Sequence, residues 1–185
     1  DYRLSITGVS TDNLSLLLPS ATYDAITLNP GATEPFTISL SKVSSIAISD
    51  TSDNISGSFD DVLALSDKLT SVTLDDSTAP IVLTADQFAA STDVLSKITN
   101  GSYHLSLTDV LAMDAVSSSA ANSVDSIRVA DTADNIAHYF DDMLAVVDSI
   151  SAIELTDGND LFLTQSQYDS SLTSKVLSAN IVISG

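Results

Sequence analysis

Cysteine is absent from this 185-residue chain, so no disulfide staples it and no thiolate metal site exists. Basic residues are scarce: six Lys and Arg stand against 25 Asp and Glu, for a formal net charge of −19. A field of that sign repels nucleic acid and anionic membrane surfaces and attracts cations. Long apolar runs are missing too. The nearest, Leu14 to Leu18, ends at Pro19 and falls short of the roughly 20 residues that span a bilayer. Neither an initiator Met nor a basic-then-apolar leader opens the sequence, so no signal peptide is visible in it. No Gly-x-Ser-x-Gly elbow and no glycine-rich phosphate loop occurs, which points away from an enzyme.

What the chain has is repetition. Asp50-Thr-Ser-Asp-Asn-Ile55, with Phe59-Asp60-Asp61 and Leu63, returns as Asp131-Thr-Ala-Asp-Asn-Ile136, with Phe140-Asp141-Asp142 and Leu144. The offset from Asp50 to Asp131 and from Leu63 to Leu144 is the same 81 residues. Copied units usually stack, and stacks build long surfaces rather than single deep active sites. With 44% hydrophobic and only 17% charged residues, the chain is able to bury a core and is no disordered acidic tail.

A finer word occurs four times: apolar, spacer, small, apolar, spacer, apolar, spacer, Asp. Its copies run from Val43 to Asp50, Leu69 to Asp76, Val124 to Asp131 and Ile150 to Asp157. The alternation within each predicts a short strand with one buried face. Leu4-x-Ile6, Ile26-x-Leu28, Tyr103-x-Leu105-x-Leu107 and Ile181-x-Ile183 read the same way, and residues 35–40 read as an inserted strand after an Asn29-Pro30-Gly31 turn.

Between strands the period turns helical: Ile55, Phe59, Val62 and Leu63 share one face, mirrored by Ile136, Phe140, Met143 and Leu144. A second helix type opens with Thr84-x-x-Gln87 and Thr164-x-x-Gln167, each a capping box, with Phe88 and Leu95, or Tyr168, Leu172 and Val176, as its apolar stripe. A weaker, Ser-rich helix is expected from Asp109 to Ser118.

These elements predict an α/β repeat solenoid of short parallel strands alternating with helices, with right-handed crossovers. A doubly wound parallel sheet is the alternative. The expected organisation is one continuous elongated domain: an irregular N-terminal portion over residues 1–42, one repeat over 43–102 and a second over 103–185. Asp1 to Ile6 matches the internal stretch Tyr103 to Leu107, so the chain is expected to start in mid-repeat, as part of a longer protein.

The words Asp-Thr-Ala-Asp-Asn-Ile, Phe-Asp-Asp-x-Leu, Leu-Thr-Ser-Val-Thr-Leu and Leu-Thr-Ala-Asp-Gln-Phe resemble the long repeats of very large secreted bacterial surface proteins. The resemblance covers Val43 to Ile183. Such proteins often also carry calcium-binding nonapeptide repeats of the haemolysin type, whose Gly-Gly-x-Gly-x-Asp word this chain lacks. The resemblance implies export by a one-step system and a place outside the bacterial cell or on its surface.

Two roles compete for the strand-end aspartates. They could form a ladder of carboxylates that gathers calcium, or Asp50 and Asp131 could cap the next helices by accepting from the Asp53 and Asp134 N–H groups or close neighbours, with Asp76 and Asp157 serving turns. The capping role fits position and residue type better. The most calcium-like loop is Asp157-Gly158-Asn159-Asp160, with Asp76 at the corresponding place, although the distal Glu of an EF-hand is missing. No cofactor is required; calcium is the candidate ion. His104 and His138 occupy different repeat positions, which argues against a zinc site.

The expected function is a structural or adhesive repeat segment of a secreted bacterial surface protein, stacked head to tail on neighbouring repeats or on other copies of itself. Apolar, unpaired strand edges are expected at both ends. The alternatives are an extracellular recognition module for a host protein or glycan, which would need exposed aromatics, and an accessory domain of a secreted calcium-dependent enzyme, which would need a carboxylate cleft. Phe59, Phe88, Phe140 and Tyr168 read as core.

Overall fold

The alternating words fold as strands, in the order their spacing requires. A computed structural model describes residues 4–17, 26–28, 36–38, 43–76, 78–99 and 101–184. The chain divides into two compact units, Asp1–Ile81 with Ala89–Tyr103, and Val82–Phe88 with His104–Gly185. The first contains β1 (Leu4–Val9), a 3-10 segment (Thr11–Leu17), β2 (Ile26–Leu28), β3 (Phe36–Ile38), β4 (Val43–Asp50), α1 (Ser52–Gly57), α2 (Phe59–Ala64) and β5 (Leu69–Leu74). Then come β6 (Ile81–Thr84), α3 (Ala85–Ala90) and α4 (Thr92–Leu95). The second unit continues with β7 (Leu105–Val110), α5 (Ala115–Ser119), β8 (Val124–Asp131), α6 (Ala133–His138), α7 (Phe140–Leu144) and β9 (Ile150–Leu155). It closes with β10 (Leu161–Thr164), α8 (Gln165–Tyr168), β11 (Val176–Leu177) and β12 (Ile181–Ser184).

The fold class is α/β, with mostly parallel strands alternating with helices. In the first unit β1, β4 and β5 lie side by side and parallel, and a parallel bridge from Val72 to Ile98 extends that row. In the second the order is β6-β7-β8-β9-β11, beside a parallel pair of β10 and β12. Strands in both main sheets follow chain order. The inserted strand is the exception, because β2 and β3 pair antiparallel; the Asn29-Pro30-Gly31 turn lies outside the described residues. Among the described residues, no helix is long and apolar enough to cross a membrane.

The first unit ends at Tyr103, while Val82–Phe88 belongs to the second. The cause is pairing: β6 is hydrogen-bonded to β7, so the strand of one repeat completes the sheet of the next.

Helix faces hold as their period requires. Ile55, Phe59 and Val62 are fully buried, as are Ile136, Phe140 and Met143, while Leu63 and Leu144 are half-buried. Each expected helix is two short ones, broken at Ser58 and at Tyr139, where the backbone leaves helical geometry. Both breaks sit at the same repeat position. Short helices gain little from propensity, so apolar burial holds them in place.

The small residue of two of the four words has a use that alternation alone does not show. Ser45 donates to the Ser5 hydroxyl at 2.7 Å, and Ser126 and Ser106 share a hydrogen bond at 2.9 Å, each pair spanning adjacent strands.

The Ser-rich helix starts later than expected. Residues 109–111 belong to the end of β7 and a linker, a 3-10 turn spans Ala112–Asp114, and α5 follows. A bulge explains the shift. Leu107 pairs with Ile127 and Val110 with Val129, so two apolar residues three apart both reach the core. Asp109 absorbs the extra residue with a left-handed φ of 57°. In the first unit Ile6 and Val9 flank the same irregularity, and there the left-handed position is Gly8, φ 66°. An aspartate in that region is strained where glycine is not. Asp109→Gly is therefore expected to stabilise the chain by about 0.5–1 kcal/mol, less the entropy glycine adds to the unfolded state. Urea unfolding checks it: an unchanged or lower midpoint would show that the bulge carries no strain.

Candidate functional site

The alternation of β4 places Asp50 on the same face as Ile46 and Ile48, which is the buried one. The residue is 7% exposed and both carboxylate oxygens are engaged. Oδ2 accepts from the Thr11 N–H at 2.8 Å, the Thr11 hydroxyl at 2.9 Å and the Ser10 hydroxyl at 2.9 Å. Oδ1 accepts from the Thr51 N–H and the Asn54 amide, both at 2.8 Å. One side chain thus ties the end of β4, the start of α1 and the segment after β1.

Asp131 repeats the arrangement with fewer donors. Oδ2 accepts from the Ala112 N–H at 3.0 Å, and Oδ1 from the Thr132 N–H at 2.8 Å and the Asn135 amide at 2.7 Å. Where the first unit has Thr11 the second has Ala112, which offers a backbone donor only.

Asp76 and Asp157 make the next rung in each unit. Asp76 Oδ1 accepts from the Ser52 N–H at 2.6 Å, and both oxygens of Asp157 accept from the Ala133 N–H at 3.3 Å. A single rule covers all four carboxylates. Each takes the N–H two residues beyond the end of the strand before its own: Thr11 after Val9, Ser52 after Asp50, Ala112 after Val110, Ala133 after Asp131. All four donor residues are small and buried. Ser52 even buries a hydroxyl that finds no partner, so its backbone N–H is the group the rung uses. Further matching ties join the same strands: the Thr70 hydroxyl donates to the Ile46 carbonyl and the Ser151 hydroxyl to the Ile127 carbonyl, each at 2.9 Å.

Two opposed effects set the ionisation of Asp50. Burial pushes its carboxyl up, but the Asn54 amide, the Thr11 and Thr51 N–H groups and the Thr11 hydroxyl together outweigh that and hold it well below the usual carboxylate range. Asp157 is lowered in the same way: desolvation raises it, and the Asn159 and Ala133 N–H groups, with the Asn159 amide, more than compensate.

Four of the expected capping roles resolve in two ways. Thr84 and Thr164 form the capping boxes: each hydroxyl accepts from the N–H of Gln87 or Gln167 (3.1 and 3.3 Å), and each Gln oxygen accepts from the threonine N–H at 3.0 Å. Asp50 and Asp131, however, do not cap. The N-caps are Thr51 and Thr132, in extended backbone, accepting from Asn54 and Asn135. The aspartates lie one residue too early to be the N-cap; each accepts from the N-cap N–H and the Asn amide of the following helix with Oδ1 and from the preceding segment with Oδ2. Asp76 and Asp157 likewise reach back to the first residue of α1 and α6 rather than serving only their own turns.

The calcium candidates accept from protein donors. Asp157 also accepts from the Asn159 N–H and amide, and Asp160 accepts from the Asn180 amide at 2.8 Å. Asp76 lies in the first unit and the other three in the second. Among the described residues, no three His, Cys, Asp or Glu side chains gather to hold a metal ion. His104 bonds Asp125 at 2.6 Å, and His138 packs edge-on against Tyr139.

The aromatics divide. Phe59 and Phe140 are core, Phe88 is half-buried, and Tyr168, expected in the apolar stripe, is 42% exposed, as is much of Phe162. Compared with known proteins, the chain matches no family model, no curated protein and no solved structure.

Proposed function

We propose that this chain is a structural or adhesive repeat segment of a large secreted bacterial surface protein, whose coils stack head to tail on neighbouring repeats. The observation that carries the reading is the aspartate rung. The same carboxylate-to-N–H clasp recurs at four strand ends, with an identical two-residue register, and spends the carboxylates on holding one coil to the next. A scaffold needs that repetition; a catalytic centre needs a convergent cluster, and the rungs disperse the acids instead. Strand order supports coils, since each main sheet adds its strands in chain order. The charge of −19 keeps such a surface soluble and repels anionic partners.

In a stack, each added interface contributes stability to its neighbours. Two copies of the chain joined end to end are therefore expected to melt about 3–6 °C above a single copy. Equal melting temperatures would overturn stacking. The same melt with calcium and with chelator decides the ion's part, because a ligand that binds only the folded form raises its stability. A large upward shift makes folding calcium-linked; no shift leaves a scaffold that folds without it.

A further inference from the structure

One polar pair breaks the repeat. Arg128 on β8 and Glu154 on β9 alternate with the buried Ile127, Val129 and Ile153, so both face outward from the sheet. The Arg128 guanidinium donates to Glu154 Oε2 across the two strands. At the same repeat positions the first unit has Ala47 and Thr73, which cannot form such a pair. The neighbouring half-buried positions on β8 and β9 are small, among them Ser126, Ala130 and Ala152. An ion pair this exposed contributes little to stability, so holding the fold together does not account for it.

The pair lines a cleft of 270 Å³ that lies wholly within the second unit. Two left-handed turns contribute to its lining: Gly158, at φ 66°, precedes Asn159, and Ser178, at φ 50°, lies between Leu177 and Asn180. A serine held in that region is strained, and strain of this kind gathers at binding sites. The polar groups have capacity to spare. Among the described residues no protein donor reaches Glu154 Oε1, and the guanidinium has further N–H groups beyond the one on Glu154. The Asn159 and Asn180 amides donate to Asp157 and Asp160, which leaves their oxygens to accept or their second N–H to donate. Leu177, 44% exposed, adds an apolar wall.

Charge selects the class of ligand. The net −19 and Glu154 oppose an anion, while the Arg128 guanidinium opposes a cation. A zwitterion has to pull the pair apart. A neutral ligand with adjacent hydroxyls uses the pair intact: one hydroxyl accepts from the guanidinium while its neighbour donates to Glu154 Oε1. From this we infer that the cleft binds one neutral pyranose ring, its adjacent hydroxyls bridged by Arg128 and Glu154 and its C–H face laid on Leu177. The volume, just under the roughly 300 Å³ at which pockets for larger ligands begin, fits a single ring. Gly158 and Asn159 also line a more open cleft of 470 Å³ in which Phe162 is 54% exposed, so the next ring of a glycan has an aromatic face to rest on. This site goes beyond the scaffold role and does not depend on stacking.

Nuclear magnetic resonance titration of the intact chain with the methyl glycosides of glucose, galactose and mannose tests this. At least one is expected to bind with a Kd on the order of 1 mM, shifting the Asn159 and Asn180 amide signals. Because the ligand is uncharged, that Kd is expected to change little between low and high salt. Arg128→Ala and Glu154→Ala are each expected to weaken binding by about tenfold. Asn180→Ala, which leaves the ion pair in place, is expected to weaken it by about threefold. Thr73→Ala, at the matching place in the first unit, is expected to leave it unchanged. A disaccharide that binds more tightly than its methyl glycoside, with the gain lost in Phe162→Ala, assigns the site to a glycan chain; equal binding assigns it to a free sugar. Three outcomes would overturn the inference: no methyl glycoside binding up to about 50 mM, glycine binding more tightly than every sugar, or folded Arg128 and Glu154 variants that bind as the wild type does.

Discussion

Asp50→Ala is expected to destabilise the first unit by about 2–4 kcal/mol, because it strands the buried Thr11 N–H and removes five hydrogen bonds from one site. Asp131→Ala, with three donors lost, is expected to cost about 1–3 kcal/mol. Chemical denaturation of both variants checks the order, and a larger loss at Asp131 would contradict the donor count. The pH dependence follows from the lowered carboxyl of Asp50. The unfolded chain takes up a proton at this site near the ordinary aspartate value of about 3.9, whereas the folded chain resists until lower pH. The stabilisation is fully present above about pH 4 and is lost as pH falls towards the folded value. Asp50→Asn is expected to flatten that acid limb. An unaltered acid profile would show that the carboxylate charge is not what the site holds.

Phe140→Ala is the other large effect, expected to cost about 3–5 kcal/mol, since the ring is fully buried and its loss leaves a cavity. Phe59→Ala at the equivalent place in the first unit is expected to cost a similar amount. The urea midpoint should fall with little change in slope. A loss below about 1 kcal/mol would mean that these helices hold their place without the aromatic anchors.

Much of this was legible because burial and sequence period are coupled. The alternation in Val43 to Asp50 and in Val124 to Asp131 located the strands, and the three-and-four spacing of Ile55, Phe59 and Val62 located the helix face. Thr84 and Thr164 announced their caps through a contact only three residues long. The rungs were harder to read for a physical reason: their partners lie 19 to 39 residues away, and a single sequence does not reveal which N–H meets which carboxylate. A signal was nonetheless present. Continuing the period of Ile46 and Ile48 puts Asp50 on the inward face, and an inward aspartate must find donors. The bulge at Gly8 and Asp109 broke the period locally, which is why β7 reads as ending too soon. Tyr168 fell on the same stripe as the buried Leu172 but is 42% exposed.

The loan of β6 and α3 to the second unit makes the molecule indivisible by any single cut. Severing the backbone after Ile81 orphans residues 89–103 from the first unit, and severing it after Tyr103 takes β6 away from β7. Gene fragments bounded by the repeat motif would accordingly encode pieces with a bare flank. The module that can be excised, transplanted or shuffled is offset from the one the eye picks out in the letters.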